Sequence, residues 1–241
     1  MSPLVLDSVL VADSGVDAVR VLTTLQRLGV RAVGAHTELD ADALPARLAD
    51  ESVLLAATPA AYGDVVKLVE AARQSRASGV HPGGRLVPGL REAVLAADLQ
   101  WLGDPLVLPV SWSGVVARPG GPTTFAALPP RAVEVVSGVD AVAAALGVEP
   151  EPARGGCAVS VQLVTSDGCD VTGLEVLAAE DLWWDLAVGP GAATVGPLLG
   201  IVTAWAVDER AAWELLADAA ARSVVEGPVV DLPDLVRRAR P

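Results

Sequence analysis

Residues 8–35 read "SVLVADSGVDAVRVLTTLQRLGVRAVGA". The stretch opens with a short apolar run, Ser8 to Ala12, that stops at Asp13, Ser14 and Gly15. Val16, Val19, Leu22, Leu25 and Leu28 then recur every third residue, which lays one apolar stripe along a helix. Gly29 ends that helix, and residues 30–35 alternate as a second short strand. The reading is a β-α-β unit. Asp13 or Ser14 is expected to cap the helix, and a turn with one glycine and two acids is a poor phosphate loop.

The same alternation continues outward along the chain. Residues 52–56 form a strand, 62–75 a helix and 78–80 a strand that runs into the turn "HPGGRLVPG" at 81–89. A helix at 90–98 follows. Strands alternating with helices predict a small parallel sheet covered on both faces. Residues 103–130 are dense in Pro and Gly without sustained periodicity and read as a linker. Beyond them, 137–147 reads as a helix capped by Ser137 and stopped by Gly147, and 156–165 and 170–180 as strands joined by the turn at 166–168. A buried strand at 198–207 and helices at 208–223 and 231–240 complete an antiparallel α+β domain. The fold class is α/β: a small parallel-sheet, Rossmann-like domain followed by an α+β domain.

Composition narrows the function classes. The chain has 241 residues, enough for one domain or two small ones, and 52% are apolar, with one Phe, one Tyr and six Trp. The core is therefore aliphatic. A formal charge of −13 argues against nucleic acid or an anionic membrane as partner, because both are bound through Lys and Arg. Cys157 and Cys169 make neither a disulfide framework nor, lacking further thiols or a nearby His, a zinc set. The acidic run 38–51 could suggest a metal site, but no cofactor and no metal are expected. Asp7 and Asp13 interrupt an N-terminus without a basic region, which is unlike a signal peptide. The apolar run 196–207 is short of the roughly 20 residues a membrane helix needs. A cytoplasmic location is expected.

Longer stretches carry a family resemblance. Residues 9–55 resemble the opening of the biotin carboxylases, with Arg20, Leu28, Gly29, Asp40, Ala41, Asp42, Ala43, Ala49, Asp50 and Glu51 in register. "GVHPGGRLVPG" at 79–89 is similar to that family's "AIHPGYGFLSEN", and "WLGDP" at 101–105 to its "FIGP". Residues 133–163 and 197–227 resemble the opposite end of the same family. The resemblance implies a biotin carboxylase N-terminal-like, pre-ATP-grasp domain at 1–105 and a C-terminal-like domain at 131–241. It implies that 106–130 is a linker replacing the ATP-grasp domain that binds ATP, magnesium and bicarbonate.

The resemblance also implies which groups are lost. Phe125 stands at the family's arginine, Ala127 at its glutamine and Pro129 at the carboxylate that acts as base, while Glu134 keeps its type. Gln162 stands where an arginine steadies the enolate of biotin, and a neutral amide lacks that permanent charge. Ile201 replaces a lysine, Val195–Gly196 a Tyr-Asp pair and Gly84 a tyrosine.

Two functional expectations follow. The first is a non-catalytic biotin-carboxylase-like protein, a homodimer or a heteromer with a carboxylase subunit, acting as scaffold or regulator. Trp183, Trp184, Trp205 and Trp213 supply candidate interface anchors, although core packing is the first expectation for each. The second is an ATP-independent enzyme, on an acyl or polyketide-like substrate, with a small-molecule site in the inter-domain cleft. There the candidates are His81, Arg85, Gln162 and Asp167. A module that binds such a ligand without turning it over is a third. For His81 a hydrogen bond within its own turn is favoured over a role as base.

Overall fold

The computed structural model describes residues 6–164, 171, 173–189, 198–226 and 232–239. The chain divides into two compact units, one of residues 1–106, 125–128 and 141–150, the other of 107–124, 129–140 and 151–241.

The first unit opens with β1 (Ser8–Val11), α1 (Gly15–Arg27) and β2 (Arg31–Thr37), and continues through α2 (Leu44–Leu48), β3 (Glu51–Ala56), α3 (Val65–Gln74), β4 (Gly79–His81), α4 (Leu90–Ala96) and β5 (Gln100–Trp101). All pairings are parallel and the strand order is β3-β2-β1-β4-β5. Successive residues of β1 serve opposite faces. Leu10 packs with Val33, Val53, Val80, Leu68 and Val94 on one side. Val9 and Val11 pack with Val21, Leu22 and Leu25 of α1 on the other. Helix α3 starts at Val65, later than its apolar pattern suggested, because Asp64 accepts the Val66 and Lys67 backbone N–H groups as N-cap.

The segment read as a linker is instead a hairpin, β6 (Leu106–Trp112) and β7 (Val116–Phe125). It extends the second sheet, whose order is β10-β11-β8-β7-β6. Pro109, Pro119, Gly120, Gly121 and Pro122 hid the alternation. Pro109 is tolerated because β6 lies at the sheet edge, and Pro119 to Pro122 lie beyond Val116 and Ala117, the β7 residues that pair with β8. Leu108 and Val110 are buried while Val107, just before them, is exposed.

The helix expected at 137–147 is two helices. Ser137 is the last residue of α5 (Arg131–Ser137) and not an N-cap. Its Oγ accepts the Val139 N–H, and Gly138 turns the chain at φ +74°. Helix α6 (Ala141–Ala145) belongs to the first unit, where it packs beside α1, so the unit boundary does not fall at residue 131.

The rest of the second unit is β8 (Cys157–Val164), β9 (Gly173–Glu175), β10 (Leu182–Leu186), β11 (Leu198–Ala206), α7 (Glu209–Arg222), β12 (Val224–Glu226) and α8 (Leu232–Ala239). Strands β10, β11, β8 and β7 pair antiparallel. Val159, Val161, Val202 and Ala204 bury one sheet face against Trp213, Leu216 and Ala220 of α7 and Val236 of α8. Helix α5 packs on β8 and β11 as well. Among the described residues of the strand expected at 170–180, β9 is the strand, paired with β12. The turn 166–168 and Cys169 lie outside the described residues.

Candidate functional site

The turn after β4 is tied to the turn after β1. The Gly83 N–H donates to His81 Nδ1 at 2.9 Å, so the neutral ring carries its proton on Nε2. Asp13 does not cap α1. Its carboxylate accepts the N–H of Ser14 and of Gly84, each at 2.8 Å, and the Nε of Arg85 at 2.6 Å. Arg85 Nη2 also donates to Ser14 Oγ at 3.2 Å, and its guanidinium lies over the Tyr62 ring, 5.1 Å from the centroid. The Tyr62 hydroxyl donates to Asp40 at 2.6 Å, and Asp40 in turn accepts from Thr37 Oγ1.

Burial pushes the Asp13 carboxyl above its ordinary value of 3.8, against the opposing pull of the Ser14 and Gly84 N–H groups and of Arg85. Burial and the Asp40 carboxylate likewise raise the Tyr62 hydroxyl. The glycines are required by closeness. Gly83 has φ +68°, and a Cβ there would lie 2.3 Å from that of Asp13; a Cβ on Gly84 would lie 2.1 Å from Asp17 Oδ2.

Beside this turn the first unit has a partly open pocket of about 200 Å³, lined by His81, Trp101, Asp104, Leu106, Ala127 and Ala144 among others. The alanines of α6 and Ala127 leave the room, and buried His81 supplies a polar wall. Arg85 is not among its lining residues. The structure therefore brings His81 and Arg85 to one turn of the first unit but to different sides of it. Gln162 lies in the second unit, and Asp167 lies outside the described residues.

In the second unit, register sets Gln162 of β8 opposite Ile201 of β11. Gln162 is exposed and Ile201 half-buried. Arg131, half-buried, is committed to Asp185 through two bonds of 3.0 and 2.7 Å, and to Glu134 at 3.2 Å. Burial alone would lower its basicity, but Asp185 and Glu134 raise it. Arg154 donates to Asp181 at 2.6 Å and stacks 4.2 Å from the Trp205 centroid. Trp184 and Trp205 donate to the Leu177 and Gly155 carbonyls at 2.9 Å, and Trp213 is buried in the core. Cys157 is buried, and desolvation raises its thiol. Among the described residues no group of three His, Cys, Asp or Glu is arranged to hold a metal ion, and no helix is long and apolar enough to cross a membrane.

A parallel sheet ending in a "HPGG" turn, followed by an antiparallel sheet backed by α7 and α8, defines a biotin-carboxylase-like α/β protein. Residues 5–106 match the biotin carboxylase N-terminal domain. A biotin carboxylase of Halalkalibacterium halodurans is 32% identical over 170 residues, 66% of this chain and 38% of that one. The mitochondrial propionyl-CoA carboxylase alpha chain of Homo sapiens is 35% identical over 79 residues, 32% of this chain and 11% of that one. Rhizobium etli pyruvate carboxylase shares the fold with a TM-score of 0.81 at 17% identity, over 97% of this chain and 37% of that one. The chain is similar to biotin carboxylases, over residues 5–106 to their N-terminal domain, and spans well under half the length of these relatives.

Proposed function

We propose that this protein lacks an ATP-grasp domain, does not carboxylate biotin, and serves as a cytosolic scaffold or regulatory partner of a biotin-dependent carboxylase, associating with itself or with a carboxylase subunit. The observation that carries the reading is the cross-strand pair Gln162–Ile201. These are the positions at which the family resemblance calls for an arginine and a lysine, and here they adjoin as an amide and a hydrocarbon. Neither supplies the fixed positive charge that steadies a developing enolate, so the residues present do not fit activated biotin. The hairpin β6–β7 further supports the reading, since it occupies the stretch at which the family resemblance expects the nucleotide-binding domain.

The test joins an assay to a mixing experiment. The purified chain is given ATP, magnesium, bicarbonate and free biotin, and phosphate release at the level of the buffer blank is expected. Light scattering alone and with a biotin-dependent carboxylase from the same cell is expected to show a mixed assembly. Biotin-dependent turnover would refute the first half, and a chain that ignores every carboxylase subunit the second.

The pocket beside His81 favours one further reading, a small-molecule site in the first unit. It is tested by fragment binding followed in NMR spectra, with Ala144→Leu filling the pocket. Binding that survives this substitution would place the ligand elsewhere.

A further inference from the structure

Trp101 ends β5 and lines the pocket beside His81. Its Nε1 is buried, and among the described residues no acceptor lies within hydrogen-bond distance of it. An indole N–H only donates, so this group has left water without a bond in return. The ring edge that carries Nε1 lies against Gly103, where a Cβ would stand 2.7 Å from Trp101 Cζ2. Ala127, another lining residue, holds φ +64°, a left-handed conformation that is costly for a residue with a Cβ and persists where the surrounding structure fixes a site. Ala141 and Ala144 of α6 add short apolar walls. Asp104 is the one carboxylate among the described lining residues, and no Lys or Arg stands with it in the lining. The volume of about 200 Å³ suits one small ring, since a cavity of roughly 150 Å³ takes benzene.

We propose, resting on the reading of this pocket as a small-molecule site, that its ligand is a small uncharged carbonyl compound. The apolar body lies on the alanines, and the carbonyl oxygen accepts from Trp101 Nε1. A small turn of the half-buried ring brings Nε1 to the ligand, and the bond supplies the acceptor that the indole lacks. A carboxylate would lose its hydration against a wall that holds no fixed positive charge. An amine gains little from Asp104, which is exposed and already bonded to Arg91 at 3.1 Å.

The experiment uses the full chain, labelled at the indole nitrogens of its six tryptophans, and titrates cyclohexanone, benzene, cyclohexanecarboxylate and cyclohexylamine in NMR spectra. The Trp101 signal is the one that Trp101→Phe removes. Cyclohexanone is expected to bind saturably, to move the Trp101 indole proton downfield and to bind about fivefold or more tighter than benzene. Trp101→Phe is expected to abolish that preference and to leave benzene unchanged. Binding that Ala144→Leu removes, but without a preference for cyclohexanone or without the Trp101 shift, overturns the carbonyl assignment and leaves the pocket reading standing. Tighter binding of the carboxylate or the amine overturns the uncharged class. Binding of none of the four, or binding that survives Ala144→Leu, overturns the pocket reading and this proposal together. Should Trp101→Phe not fold, the wild-type preference decides: about fivefold or more for cyclohexanone over benzene supports the assignment, and a smaller ratio overturns it.

Discussion

At the scale of single residues, Asp13 shows how far position in sequence misleads. It stands one residue before Ser14, the N-cap of α1, yet its partners Gly84 and Arg85 lie 71 and 72 residues away. Its raised pKa sets a direction. The folded state holds this proton more tightly than the unfolded chain does, so the contribution to stability is fully present below 3.8 and is lost as pH rises through the folded value. Melting curves of the wild type and Asp13→Asn across that window should therefore diverge in favour of Asn as pH rises; a constant difference would contradict the account. Arg131 and Asp185 make the opposite case, a half-buried cation and a buried carboxylate already joined by two bonds. Asp185→Ala leaves the half-buried guanidinium with Glu134 alone and should cost about 2 kcal/mol in urea unfolding; an unchanged midpoint would contradict this.

At the scale of elements, the turn His81–Gly89 and the hairpin β6–β7 carry the lessons. Gly83 must hold φ +68° with its backbone against Asp13, so Gly83→Ala should destabilise by about 1–3 kcal/mol. A fully native melting temperature would mean that the turn can move away from Asp13. In β6, Val110 is wholly buried in a strand that the Pro and Gly content had hidden. Val110→Asp buries an unpaired charge and should lower stability by about 3 kcal/mol or more, while Val107→Asp, at an exposed position, should be near neutral. Were β6–β7 only a linker, the two substitutions would behave alike. Elements with a clear local period, such as α1 and α7, lie within one residue of where their apolar spacing placed them, because burial of one stripe is decided by neighbours three and four apart.

At the scale of the whole molecule, the first functional expectation is silence in a biotin-dependent ATPase assay together with assembly on a carboxylase, as set out above. Restoring charge at the neutral pair, Gln162→Arg with Ile201→Lys, should not bring carboxylation back, since the proposed loss includes the nucleotide-binding domain; recovered turnover would show that a complete site had been one pair of charges away. The sequence by itself determined the parallel β-α-β order, the aliphatic core, the likeness to biotin carboxylases and the neutral identities of residues 162 and 201. These are properties of local period and residue type. Only the tertiary structure decided that Gln162 faces Ile201 across two strands, that α6 clusters with the first unit, that residues 106–125 form two strands of a sheet, and that Asp13 ties the turn after β1 to the turn after β4. Each of these depends on partners far apart in the chain, selected by burial and by the need of buried N–H and carboxylate groups for one another, and no local pattern records that choice.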